Sequence, residues 1–253
     1  MTRRLQVFHV LVLTVILIAA GSGLLQAQGQ IYVLESSVAS VKVGTAYGMG
    51  DRITIPAGSS IRAVMPSGKT QTIKGPYSGP VADLAKGQNA NEGVIAWIKN
   101  LLQTGGSTEK TPGATRSARA PEPRVSFSWT AIPTTADSTV CVEKGAKLQL
   151  VRAPSQRADR VIVVDQNNTE RGEVEFAAGS ETAAWPVQVT LKPDNTYTLL
   201  APDNRPRRHV TLRVLDSLPG EDDVLAELAA RECKHQFDAW VREKTAAGKR
   251  KAS

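Results

Sequence analysis

The first 27 residues constrain this chain most, because they decide the compartment in which everything after them folds. Arg3 and Arg4 make a short basic head. Val7 to Ala20 is an apolar run interrupted only by His9 and Thr14. Gly21, Ser22 and Gly23 follow, and Leu25-Gln26-Ala27 leads into polar sequence. Basic head, apolar core and small residues before a polar start are the three parts of a secretory signal. Residues 1–27 are therefore read as a signal peptide, which places the remainder in the periplasm or otherwise outside a bacterial-type cytoplasm. The alternative is an uncleaved anchor. The apolar run of about 14 residues spans roughly 21 Å as a helix, short of the ~30 Å of a bilayer core. Reaching that length requires Gly21, Ser22 and Gly23. Leu25 is bulky for the position three before the cut, so cleavage after Gly21 or Gly23 is an alternative to cleavage after Ala27. Membrane attachment is expected only if this segment is retained.

An exported chain folds in an oxidising environment, which gives the two cysteines their meaning. Cys141 and Cys233 are the only ones, and an even pair in that setting points to a disulfide. Two buried free thiols are the alternative. A metal site is the weakest reading, since two Cys with His235 nearby make an incomplete zinc set. The formal charge of +7 falls by two when Arg3 and Arg4 leave. Much of the remaining excess sits in one internal stretch (Arg116, Arg119, Arg124) and at the end (Lys244, Lys249, Arg250, Lys251). No basic stripe interleaved with aromatics offers a stacking surface for bases, so no nucleic acid is expected.

Hydrophobic patterning divides the rest. Residues 28–103 read as a small β module followed by a short helix. Short β-prone runs at Ile31–Leu34, Arg52–Ile55, Ser60–Met65 and Lys69–Lys74 are separated by turn residues such as Pro56-Ala57-Gly58 and Pro66-Ser67-Gly68. From Asn91 to Leu102, the residues Val94, Ile95, Trp97, Ile98, Leu101 and Leu102 recur at helical spacing, with Asn89 or Asn91 as cap. Residues 104–124 are rich in Gly, Ser, Thr, Pro and Ala and poor in apolar bulk, the composition of a flexible linker.

Residues 125–246 read as a second β region closed by a helix. Its strands are expected at Val125–Ile132, Thr139–Glu143, Lys147–Arg152, Arg160–Asp165, Gly172–Phe176, Val187–Leu191, Thr196–Leu200 and His209–Leu215. That spacing suggests an immunoglobulin-like β-sandwich with Trp129, Trp185 and Tyr197 in its core. The helix is expected from about Glu221 to Lys244, with Glu221, Asp222 and Asp223 at the positive end of its dipole. Its apolar stripe is Val224, Leu225, Leu228, Cys233, Phe237, Trp240 and Val241. Cys233 thus points inward, where Cys141 should lie. Residues 247–253 remain as a basic tail. The chain is mainly β throughout.

Reactive chemistry is sparse. Pro66-Ser67-Gly68-Lys69-Thr70 imitates the end of a phosphate-binding loop, but Ala63 stands where that motif needs Gly and the stretch reads as a hairpin. His209 and His235 are the only imidazoles past the signal, and neither belongs to a nucleophile motif. His209 reads as a surface strand residue. Asp165, Glu170 and Glu173 beside Asn167-Asn168 resemble a calcium cluster without its spaced ligand loop, which favours an ordinary turn. No catalytic residue, cofactor or metal ligand is assigned.

One family resemblance stands beside this reading. Val43-Gly44, Gly50-Asp51-Arg52-Ile53, Ile55-Pro56-Ala57-Gly58-Ser59-Ser60-Ile61 and Pro66-Ser67-Gly68-Lys69-Thr70 resemble the FecR-type domain of bacterial envelope proteins. The resemblance implies an exported β-rich module without enzymatic activity, found in signalling and envelope proteins. It departs at Ile55-Pro56, where the family usually has Thr after the strand. No sigma-factor-binding domain precedes the hydrophobic segment, so iron-uptake signalling does not follow. The C-terminal half resembles only uncharacterised exported bacterial proteins. The expected function is that of a non-enzymatic sensor-like or scaffold module, its partner another envelope protein. A periplasmic glycan- or peptidoglycan-binding module is the alternative, and a hydrolase the minor one.

Overall fold

The computed structural model describes residues 29–103, 126–203 and 206–252. The segment read as a signal, 1–27, and the stretch read as a linker, 104–124, lie outside the described residues. The first region forms β1 (Gln30–Ser36), β2 (Ala46–Gly48), β3 (Arg52–Ile55), β4 (Ser60–Val64), β5 (Thr70–Lys74) and β6 (Tyr77–Pro80). Two helices follow, α1 (Val81–Leu84) and α2 (Glu92–Gln103). A four-stranded sheet runs β2-β1-β4-β5 and a ribbon pairs β3 with β6. Ile31, Val33, Ile53, Ile55, Ile61 and Ile73 pack in the core between them. The turn before β5 needs a glycine at Gly68, whose φ is +89°. A side chain there would also strike Val94 at 2.9 Å. The likeness to a phosphate-binding loop therefore comes from a hairpin packed against a helix. Asn91 caps α2, its Oδ1 accepting the Val94 N–H at 3.2 Å.

The second region is a β-sandwich, and the chain as a whole is mainly β. Its strands are β7 (Ala131–Pro133), β8 (Ser138–Glu143), β9 (Gln149–Val151), β10 (Asp159–Val164), β11 (Arg171–Phe176), β12 (Thr182–Ala184), β13 (Asn195–Leu200) and β14 (Pro206–Leu215). One sheet is ordered β11-β10-β13-β14-β8 and the other β12-β9-β7. Between them Trp185 meets Tyr197 edge to face at 5.1 Å, amid Leu150, Val163, Phe176 and Leu212. The Tyr197 hydroxyl donates to the Thr190 carbonyl at 2.8 Å, pinning the chain just upstream as tyrosine corners do in immunoglobulin-like domains. Two pairs, β14 with β8 and β7 with β9, are parallel, so the sheets are not purely antiparallel.

Three expectations need correction. Val187–Leu191 is not a strand; Val187 is 92% exposed and the neighbouring strand is β12 instead. In the expected strand Val125–Ile132, residues 126–130 are irregular beside the last helix, and only the end pairs, in β7. The single C-terminal helix is two, α3 (Val224–Ala230) and α4 (Lys234–Ala252). Between them Glu232 takes φ 62°, its N–H donates to Ala229 O, and the Cys233 N–H donates to Leu228 O. That is a Schellman motif with Glu where glycine is usual. No Gly or Pro marks the break, which is why periodicity runs straight through it.

The helices unite the two regions. One core cluster gathers Tyr32, Leu34 and Val64 from the first sheet, Ile98 and Leu101 from α2, Cys141 and Leu215 from the sandwich, and Leu228, Phe237 and Trp240 from α3 and α4. Strand β1 is buried on both faces: Ile31 and Val33 face the first core, Tyr32 and Leu34 the shared one. A bulge between Val33 and Glu35 accommodates this and sets Glu35 opposite Arg62. Residues 247–252, read as a basic tail, continue α4 onto β1. A Cβ added to Gly248 would stand 2.0 Å from the Leu34 carbonyl oxygen. Gly248→Ala must therefore push the helix off the strand. Urea melts should show a loss of ~1–3 kcal/mol, whereas Gly220→Ala, with nothing within 4 Å of its added Cβ, should stay within ~0.5 kcal/mol of wild type. Equal stability of both variants would show that α4 does not rest on β1.

Candidate functional site

Strand β8 ends its sheet, so half of its peptide groups face away from β14 and need partners. The last helix supplies them. Gln236, buried to 7% exposure, accepts the Cys141 N–H on Oε1 at 2.6 Å and donates Nε2 to the Cys141 carbonyl at 2.7 Å. Its amide behaves as one residue of an additional strand. Nε2 also donates to Ser128 O at 2.7 Å, tying the incoming segment to the same point. The Cys141 and Cys233 sulfurs stand 1.97 Å apart, with Cα atoms separated by 5.8 Å. That Cα separation lies in the range a disulfide spans. Cys233, Gln236, Phe237, Trp240 and Val241 share one helix face at the i, i+3, i+4, i+7, i+8 positions. The apolar members are legible in sequence; Gln236, a polar residue on an apolar stripe, is the residue that pattern reading misses.

Carboxylates read as a helix start do a different task. Glu221 and Asp222 bind Arg62 at 3.1 and 2.9 Å, Asp223 binds Lys69 at 2.8 Å, and Lys244 reaches Glu221 at 2.6 Å. Asp223 sits at the N-cap of α3 without a side-chain capping bond. The Arg62 and Lys69 pairs cross from the first region to the segment that enters α3, and the Lys244 pair ties that segment to α4. The Lys244 and Arg62 cations hold the Glu221 carboxyl below its ordinary range.

The turn at Asp165 is a backbone lock. Its Oδ1 accepts the Thr169 and Glu170 N–H groups at 2.6 and 2.9 Å, and Oδ2 accepts the Thr169 hydroxyl at 2.8 Å. Lys192 stands on Glu170 at 3.1 Å and near Asp165 at 3.7 Å, where a cation would have to bind, and Glu173 pairs with Arg160 instead. The imidazoles are apart from one another. His209 lies exposed on β14, with Nδ1 3.3 Å from the Thr198 hydroxyl. Asp137 accepts the His209 backbone N–H, at 2.8 Å, rather than orienting the ring. His235 lies exposed on α4.

A groove of about 900 Å³ opens where α4 leaves the outer face of the first sheet. Glu35, Arg62 and Thr72 form its floor and strand wall, and Lys42, Lys249 and Lys251 rim it. Glu35 is held by Lys251 at 3.0 Å. None of the chain's four tryptophans lines this groove: Trp185 and Trp240 are buried, and the half-buried Trp97 and Trp129 pack on Phe237 and Phe127.

No family model matches the chain, and no curated protein or solved structure matches it.

Two expectations follow from this geometry. Joining positions 92 apart restricts the unfolded chain by roughly 4–5 kcal/mol in the chain-entropy model. Cys141→Ser should accordingly lower the melting temperature clearly and yield one thiol after denaturation. Two thiols titrating in denatured, unreduced wild-type protein prepared from an oxidising compartment would refute the linkage.

Asp165 has its carboxyl lowered from 3.8 to about 2, foremost by the Glu170 N–H and then by the Thr169 hydroxyl and N–H. A lowered folded-state value means stability that is complete above the ordinary value and lost as pH falls toward 2. Asp165→Asn should therefore destabilise at pH 7, and the gap from wild type should close between about pH 4 and 2. A gap constant with pH, read from thermal melts, would contradict the assignment.

Proposed function

We propose that this chain is an exported, non-enzymatic protein of the bacterial envelope, with a FecR-like first module, acting as a sensor-like or scaffold partner of another envelope protein. One observation carries the reading: α3 and α4 weld two β regions into one body around a shared core, a disulfide and a buried amide. The cysteines link strand to helix, Gln236 completes a sheet edge, and Asp165 closes a turn. A rigid body with a polar groove at one end suits holding a partner in place. The apolar segment before Gln28 supports export. The glycan-binding alternative has no aromatic platform at the groove, which no tryptophan or tyrosine lines. The hydrolase reading would rest on Thr198 and His209, which lie on an open sheet face without a carboxylate on the ring.

Expression with the native N-terminus, fractionation and intact-mass measurement test this directly. The expected result is a mature chain beginning near Gln28 in the periplasmic fraction, joined in living cells to a protease-sensitive adduct by a lysine-reactive cross-linker. Full-length protein confined to the cytoplasm would overturn export. Hydrolysis of an ester or glycoside substrate that disappears in His209→Ala would overturn the non-enzymatic reading.

A further inference from the structure

We infer that β11 is a self-association edge: two copies of this chain pair β11 with β11, antiparallel about a two-fold axis, and join their five-stranded sheets into one continuous sheet. The inference goes beyond the scaffold reading and does not depend on it. Backbone geometry is the first argument. The Asp165 N–H donates to Glu170 O at 3.1 Å, and the register then runs unbroken from Val164 opposite Arg171 to Asp159 opposite Phe176. Hydrogen-bonded and non-bonded pairs alternate along an antiparallel ladder. Gly172, Val174 and Phe176 therefore turn their peptide groups toward β10, and Glu173 and Glu175 turn theirs outward. No backbone group among the described residues bonds to those of Glu173 and Glu175 from that side.

Other sheet ends are covered or short. Gln236 covers β8, Asp222 O accepts the Thr70 N–H of β5, and β2, β7 and β12 have three residues each. Strand β11 has six, with no proline, lysine or bulge to blunt it.

Charge is the second argument, and it selects a second copy. Arg171, Glu173 and Glu175 are the exposed side chains of β11. Opposite charges facing each other across a strand pair favour it, and like charges oppose it. An axis through Glu173 sets Arg171 of each copy opposite Glu175 of the other. The same axis brings the outward peptide groups of the two Glu173 residues into hydrogen-bonding register. Each Glu173 is neutralised by its own Arg160 at 2.7 Å, so the two can meet at the axis. The pattern is complementary to itself, as a two-fold interface requires. Beside the edge stands Val187, 92% exposed, where a second copy would shelter it. Its loop rests against β11: a Cβ on Gly172 would lie 2.4 Å from Pro186, and Glu170 accepts the Thr190 N–H at 2.6 Å.

Size exclusion with light scattering, and amide hydrogen exchange, test the inference on the mature chain over a dilution series. Wild type should move from the mass of one chain to that of two as concentration rises. The Glu173 and Glu175 amides should slow in step with that shift. Glu173→Pro removes an outward N–H and no bond to β10, a place where an edge strand accepts proline. It should hold the chain monomeric with an unaltered circular-dichroism melt. Arg171→Glu or Glu175→Arg alone creates two like-charge pairs and should weaken association at least tenfold; the double exchange should restore it, which no folding defect would do. A monomer at every concentration, a dimer whose β11 amides stay fast, a dimer indifferent to Glu173→Pro, or a double exchange without rescue would each overturn the inference. Slow β11 amides in a monomer would give the edge to a segment of the chain itself. Amides slowed only by the cross-linked envelope partner would give it to that partner. Either result overturns the pairing of copies and leaves export untouched.

Discussion

The structure turns on the outward edge of β8. An edge strand buried without partners would leave N–H and C=O groups unsatisfied, at a cost of about 1–3 kcal/mol each. Gln236 meets both groups of Cys141 with a single side chain. The disulfide attaches the helix three residues earlier, at Cys233. The amide supplies the hydrogen bonds and the covalent link supplies their permanence. Side chains at Cys233, Phe237, Trp240 and Val241 exclude water around them, and hydrogen bonds in a dry setting are stronger than exposed ones.

Once α4 is fixed on β8, its far end falls on β1. There the close approach permitted by Gly248 brings helix and strand into contact, and Tyr32 and Leu34 enter the shared core. Ion pairs from Arg62 and Lys69 to residues 221–223 run alongside. Several are half-exposed, so individually they contribute little; they fix orientation, while burial fixes position. The groove lies where α4, having covered Tyr32, Leu34 and Val64, runs on beside Glu35, Arg62 and Thr72.

Much of this architecture is legible in the residues. Alternation locates β3 and β4, helical spacing locates α2, and the stripe from Val224 to Val241 marks the buried face of the closing helices. The pairing of Cys141 with Cys233 is legible because a strand and an inward helix face have to meet. What is not legible has local causes. Glu232 breaks the helix in a conformation that glycine usually adopts, so the break has no sequence mark. Val187–Leu191 has strand composition, yet the Trp185 Nε1–H donates to Val189 O at 2.9 Å and bends the chain into a loop. Lys249 and Arg250 look like a frayed end until Gly248 finds Leu34.

The groove separates the two kinds of information most clearly. By itself the sequence determined the apolar N-terminal run, the β content, the single cysteine pair and the inward face of the last helices, because each depends on residue type and short-range period. Only the tertiary structure decided that Lys42 and Lys249 share a rim with Thr72, that Gln236 completes β8, and that the two β regions share one core. Those facts depend on where α4 lands. Its landing is set by contacts between residues from about 95 to more than 210 positions apart, such as Cys141 with Gln236 and Tyr32 with Thr245, which no local pattern records.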